Sequence, residues 1–414
     1  MSKYRLSLLL LVFLLTSFAI KAQEVEETIK IKTRVVFLDA LVKDKKTNLP
    51  ISNLTSENFA VLDEGKPRNI TYFTREGQAR KPLALILILD LREDGAGRFL
   101  KRPEILKSME DELAKLPPGD EVAIMAMDIN NEDEERLWLT EFTSDRAQLA
   151  AALARVPAMC VPHEGAPASA EAKSTQTTAA ATAPAQGKPD DIVETETIRG
   201  RNGAVITRST RRDGRVNVSR TNKDGKMTID LGDVYDMAAA VKDATRKAAE
   251  LRPNSQTSIV WVSDGIAPIF FEDRDATQQI LIRDNVIFNS LTVELRTLFK
   301  FLMPIGKPIA GWMGMSLYGS AKQLAQQSGG EAVKVARVKD YGAGLSRIIG
   351  NLTARYSLGF ALAEDENDDG RMHSLEVRVN AKDEKGKTRK LQVSSRQGYY
   401  MSSTIPKDAA VKAQ

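Results

Sequence analysis

Cysteine and histidine are almost missing from this 414-residue chain, which has one of the first and two of the second. A lone Cys160 permits no disulfide within the chain and no thiolate-built metal site. His163 falls in a Pro/Ala-rich stretch and His373 at the start of an alternating run. A Ser-His-Asp triad or a multi-histidine zinc centre is very hard to build from these two, which argues against a hydrolase. An excess of one charge is missing too. Of 59 Lys and Arg, three (Lys3, Arg5 and Lys21) lie in the first 22 residues, leaving 56 against 55 acidic residues. The basic pI of the whole chain therefore says nothing about nucleic acid. Beyond the amino terminus no run is long and apolar enough to span a bilayer. The exception, Leu6 to Ile20 after Lys3 and Arg5 and closed by Ala22, reads as an export signal cleaved before Gln23. The expected destination is the periplasm or the outside.

What is present is organised around Leu83 to Asp90, seven apolar residues ending on a carboxylate. The run suits a strand buried on both faces in the middle of a parallel sheet, and such sheets bind ligands at the carboxyl ends of their strands. Downstream, apolar runs alternate with helical patterns: a helix over 98–116, strands at 122–127 and 137–142, and a short helix over 145–155. The pattern resumes with a helix over 234–251, a strand ending Ser263-Asp264-Gly265, a helix over 274–285 and a strand over 286–295. A helix over 318–327, a strand over 331–335 and a helix over 341–352 complete it. The order predicts an α/β, Rossmann-like doubly wound sheet with one antiparallel edge strand. Alternating β-rich segments flank it, 23–80 before and 355–402 after, and are expected to fold together as one antiparallel β domain; 403–414 reads as a flexible tail.

The α/β region, 81–354, carries an insertion over 157–231. Its first part, 157–190, is rich in Ala, Pro, Thr and Gln and is expected to be disordered. Its second part, 195–231, alternates, turns at Asp213-Gly214 and Asp224-Gly225, and is crowded with arginine, including Arg211, Arg212 and Arg215. That predicts a basic hairpin or three-stranded meander. It offers a contact to an anionic partner or, more blandly, a solvated edge guard. It lacks interleaved aromatics to stack bases, so nucleic acid is not expected.

The strand ending in Asp90, the later Ser263-Asp264-Gly265 and the Ser328-Gly329-Gly330 before a short strand resemble a von Willebrand factor type A domain. Leu54-Thr-Ser-Glu-Asn-Phe-Ala-Val-Leu-Asp-Glu-Gly-Lys-Pro, Leu139-Thr-Glu-Phe-Thr-Ser-Asp-Arg, Tyr356-Ser-Leu-Gly-Phe and Gly398-Tyr-Tyr are similar to secreted type A-related proteins of Acidobacteria. The resemblance implies a protein-interaction module, commonly with a divalent cation held by an Asp-x-Ser-x-Ser loop, a threonine and a further aspartate. Asp90 and Asp264 match the two aspartates. Arg92 and Asp94 stand where the serines belong, and Asp233 is nearest the threonine position. Two outcomes follow: a metal-free site in which Arg92 pairs with an aspartate, which is favoured, or Mg²⁺ or Ca²⁺ held by Asp90, Asp94, Asp233 and Asp264.

Two more stretches carry signals. Over 297–315 large apolar residues, among them Phe299, Phe301 and Trp312, mix with Pro and Gly, as satellite core or as a partner-contact loop. Asp365-Glu-Asn-Asp-Asp-Gly370 with Glu376 satisfies a calcium-loop spacing, but its flanks read as strands, so an acidic hairpin turn is expected. The sequence favours an exported, non-enzymatic module for a protein or cell-envelope partner. The alternative is a metal-dependent enzyme using the four aspartates.

Overall fold

The computed structural model describes residues 34–75, 80–92, 96–127, 136–159, 192–200, 202–211, 216–233, 237–293, 311, 313–382 and 386–401. The expected export signal, the tail and most of 157–190 lie outside them.

Along the chain, β1 (Val35–Asp44), β2 (Phe59–Asp63), β3 (Lys66–Arg68) and β4 (Tyr72–Thr74) precede the central strand β5 (Leu83–Asp90). Then come α1 (Gly97–Leu100), α2 (Pro103–Leu113), β6 (Glu121–Met127), β7 (Arg136–Thr143) and α3 (Arg146–Met159). The inserted strands are β8 (Ile192–Arg199), β9 (Val205–Arg211), β10 (Val216–Thr221) and β11 (Thr228–Asp233). The α/β pattern resumes with α4 (Met237–Leu251), β12 (Gln256–Ser263), β13 (Ile266–Phe270), α5 (Phe271–Arg283) and β14 (Ile287–Val293). The chain continues through β15 (Met315–Tyr318), α6 (Ser320–Ser328), β16 (Ala332–Val335) and α7 (Tyr341–Thr353). It closes with β17 (Tyr356–Ala361), β18 (Met372–Val379), β19 (Leu391–Ser394) and β20 (Gly398–Tyr400).

The main sheet has the order β16-β14-β12-β5-β6-β7, parallel except for β7, which runs antiparallel at the edge. Every residue of β5 is buried, because both faces of this central strand are covered. Leu83, Leu85, Leu87 and Leu89 enter a core shared with Ile105 and Met109 of α2, Leu149 of α3 and Leu345 of α7. Ala84, Ile86 and Ile88 enter the opposite core with Val241 of α4, Leu281 of α5 and Leu324 of α6. A continuous apolar run is what two buried faces require. No described helix is long and apolar enough to cross a membrane.

The two chain ends build a separate β-sandwich. One sheet is β19-β1-β17-β4 and the other β20-β18-β2-β3, so each mixes amino- and carboxyl-terminal strands. Leu38, Ala40, Leu358 and Phe360 from the first meet Val61, Leu375, Val377 and Tyr399 from the second. The Tyr356 hydroxyl donates to Ile51 O at 2.6 Å and accepts from the Leu54 amide at 3.0 Å, pinning the incoming loop. Buried cations hold sandwich and α/β layers together: Lys43 pairs with Glu331, Arg396 donates to Ile282 O at 3.2 Å, and Arg355 to Gly329 O at 2.6 Å. At the same junction a Cβ on Gly330 would lie 2.0 Å from Phe288 O. Gly330→Ala should therefore cost about 1–3 kcal/mol, read as a lowered denaturant midpoint with unchanged slope.

Three local departures from the sequence reading have physical reasons. Helix α3 runs on through Pro157 to Met159, where the proline gives up one backbone hydrogen bond and only the last residues of the helix lie beyond it. The basic insertion has four strands rather than two or three, ordered β11-β10-β9-β8, and begins at Ile192. Strands β13 and β15 pair into a small antiparallel sheet. Pro268 within β13 obscured that strand, since proline argues against strand interiors.

Candidate functional site

Numbered within the main sheet alone, the strand order is 3-2-1-4-5-6, and the order reverses between β5 and β12. Leu89 pairs with Val262, so Asp90 and Ser263 end neighbouring strands at the switch point. The Gly97 amide donates to Arg92 O at 2.9 Å, and a Cβ on Gly97 would meet Leu91 O at 2.0 Å. Beside that close approach Arg92 turns inward, only 4% exposed.

Arg92 Nη2 donates to Asp264 Oδ1 at 2.7 Å and to Ile266 O at 3.3 Å, and lies 3.6 Å from Asp90 Oδ2. Asp90 Oδ1 accepts from the Arg92 amide at 3.2 Å and Oδ2 from the Ser263 hydroxyl at 2.6 Å. Asp264 Oδ1 also accepts from the Ile266 amide at 2.9 Å. Burial pushes the Asp90 carboxyl upward, opposed by the Arg92 charge and the Ser263 hydroxyl. Above this cluster the Tyr341 hydroxyl donates to Ser263 O at 3.1 Å. Burial, with the charges of Asp264 and Asp90, raises its pKa.

A divalent cation between Asp90 and Asp264 does not fit this donor set. The guanidinium already supplies the positive charge, and an ion about 2.1 Å from the carboxylate oxygens would be forced against it. One atom points the other way: Asp264 Oδ2 is buried with no hydrogen-bond partner among the described residues.

The structure thus brings Asp90, Arg92 and Asp264 together. Asp94 lies outside the described residues, as do Phe299, Phe301, Trp312, Arg212 and Arg215. Asp233 is the last residue of β11, paired with Asn217 of β10, rather than part of a rim loop; its side chain is not among those described. Arg211 is half-buried at the end of β9. Other arginines of the insertion are internal counter-charges. Arg208, 3% exposed, pairs with Asp273 and donates to Glu196 at 2.9 Å, while Lys242 bridges Glu196 and Asp273 at 3.0 and 3.3 Å. Arg220 reaches Glu272 at 3.0 Å. Ile206 and Val218 pack with Phe270 and Met315, so the meander is docked by a mixed apolar and ionic face. Alternation along β9 and β10 hinted at one buried face, but partners 30 to 70 positions away gave no local cue. A groove of about 990 Å³ lies elsewhere, lined by Lys43, Glu331, Arg347, Ser374 and Gln392, and does not include the switch-point aspartates.

Strand order, the reversed edge strand and the aspartates at the switch point define a doubly wound α/β sheet with its candidate ligand rim where the strand order reverses. Similar solved structures include a von Willebrand factor type A protein from Catenulispora acidiphila, 7% identical over 88% of this chain and 74% of that one, TM-score 0.37. Another is the pilus adhesin SpaC from Lactobacillus rhamnosus GG in an open conformation, 7% identical over 84% and 48%, TM-score 0.34. No family model matches the chain, and no curated protein matches it.

Proposed function

We propose that this chain is an exported, non-enzymatic interaction module whose cation site has become an internal salt bridge, and that it holds a protein or cell-envelope partner without divalent metal. The observation that carries this reading is the buried Arg92 guanidinium between Asp264 and Asp90. With one guanidinium set between them and three of their four oxygens taken up by Arg92, Ser263 and backbone amides, these aspartates are poorly placed as a general base or metal ligands. In sequence, the expected contact residues Phe299, Phe301 and Trp312 follow Val293, the last residue of β14. Val293 is one position beyond Thr292, the partner of Ser263. The uncompensated Asp264 Oδ2 favours the second reading, a metal-binding or metal-dependent enzymatic site using Asp90, Asp94, Asp233 and Asp264.

Capture of envelope proteins on the immobilised, purified chain separates the two. The expected result is a specific partner retained equally in EDTA and in Mg²⁺, and lost with Phe299→Asp or Trp312→Asp. Capture abolished by EDTA supports the metal reading; no specific capture in either buffer overturns the proposal.

A further inference from the structure

A second cluster lies in the β-sandwich, independent of the rim. Asp63 ends β2, Glu64 opens the turn to β3, and His373 belongs to β18. One carboxylate oxygen from each acid and one ring nitrogen lie within 4.8 Å of one another. Asp63 and His373 are 3% and 4% exposed. Glu64 sits at φ 50°, unusual for a residue with a side chain, and Gly65 follows at φ 77°. The Glu64 amide donates to Ser374 O at 2.9 Å and its Oε1 accepts from the Ser374 amide at 2.7 Å. The strained turn is thus clasped to the strand that carries His373.

Asp63 divides its two oxygens. Oδ2 accepts from Arg68 Nε and Nη2 at 3.0 and 2.7 Å and from the Tyr399 hydroxyl at 3.0 Å. Oδ1 is buried with no hydrogen-bond partner among the described residues. A buried carboxylate oxygen without a donor is costly and calls for an ion or a water. His373 Nε2 lies 3.1 Å from Asp369 Oδ1. With Nε2–H donated there, Nδ1 carries the lone pair, the arrangement by which a carboxylate orients a metal-binding histidine. Asp369 is itself held in place for that part, its Oδ1 accepting from the Arg371 amide at 3.2 Å and its Oδ2 from Arg371 Nε at 2.6 Å.

Charge points the same way. The carboxylates of Asp63, Glu64, Glu366 and Asp369 meet the guanidiniums of Arg68 and Arg371, leaving two negative charges. We propose that Asp63, Glu64 and His373, with Asp369 behind the histidine, form a binding site for one divalent transition-metal ion, best matched by Zn²⁺. A nitrogen donor beside two carboxylates disfavours Ca²⁺, which takes oxygen ligands. Donors about 2.1 Å from the ion close to about 3.4 Å apart, so side chains move inward on loading. The half-exposed Glu64 has most room to do so.

The test is calorimetry on untagged, EDTA-stripped protein titrated with Zn²⁺ and, separately, Ca²⁺. One Zn²⁺ per chain at micromolar or tighter Kd is expected, with no Ca²⁺ binding at the same concentrations. His373→Gln should weaken Zn²⁺ at least about 100-fold, and Asp369→Asn about 10- to 100-fold, a change that a merely structural ion pair would not produce. His163→Ala, removing the other histidine, should change nothing. Asp63 is packed against Tyr399 and Arg68, so its variants risk the sandwich. His373→Gln, checked for native near-UV circular dichroism, carries the comparison, and X-ray absorption at the zinc edge on the unaltered protein should show one nitrogen among oxygens. Absence of Zn²⁺ binding, or tight binding that survives His373→Gln, overturns the proposal.

Discussion

Arg92→Met should be among the most damaging single substitutions in the chain, lowering stability by about 3–5 kcal/mol. Removing one partner of a buried ion pair leaves the other charge stranded, and here Asp264 would lose its guanidinium at 2.7 Å while Asp90 remains beside it. Like charges in a dry site raise one another's pKa, so the variant should recover part of its stability as pH falls and a carboxyl takes up a proton. Mg²⁺ should leave the melting temperature of the unaltered protein unchanged, because Arg92 holds the place of the ion. Arg92→Ser with Asp94→Ser should instead acquire a Mg²⁺-dependent stabilisation, about 2.7 kcal/mol at a hundred times Kd. Tight Mg²⁺ binding by the unaltered protein, abolished by Asp264→Ala, would show that the guanidinium does not exclude the ion.

The second large effect is expected at the foot of the inserted meander. Arg208→Met removes the guanidinium from Asp273 and Glu196, while Lys242 stays bound to both. The loss should be about 3 kcal/mol, the lower end for a broken buried pair because Lys242 stays. Its signature is local: protease cleavage within 192–233 at concentrations that leave the α/β sheet intact. Lys226→Met, on an exposed turn of the same meander, should stay within about 0.5 kcal/mol of the parent. Equal melting temperatures and cleavage patterns for Arg208→Met and Lys226→Met would mean that the ionic foot does not dock the insertion.

How much of this was legible in the sequence depends on whether the cue was local. Leu83 to Asp90 announces itself because burial on both faces leaves no polar position in the strand. The pairing of Asp90 with Asp264 followed from strand order, and the position of Arg92 two residues past the strand made its charge relevant. Asp63 and His373 are 310 positions apart, and only the pairing of β2 with β18 makes them neighbours. Spacing alone drew attention instead to Asp365 through Glu376. In the structure Glu376 pairs with Arg378, and Asp369 turns to Arg371 and His373. Clusters assembled by sheet closure leave no periodic trace along the chain.

The interleaving of the two chain ends has a consequence for biogenesis. Strand β1 is among the first described elements to be synthesised, yet both its neighbours, β17 and β19, come from the last 60 residues. Until those emerge, β1 presents two unsatisfied edges and an apolar face, while the intervening α/β sheet can already condense from β5 to β16 without them. The sandwich should therefore close late and slowly, in a step limited by the long loop it spans. A nascent chain would in that interval expose a template for strand addition, which makes β1 the segment a holdase would be expected to shield.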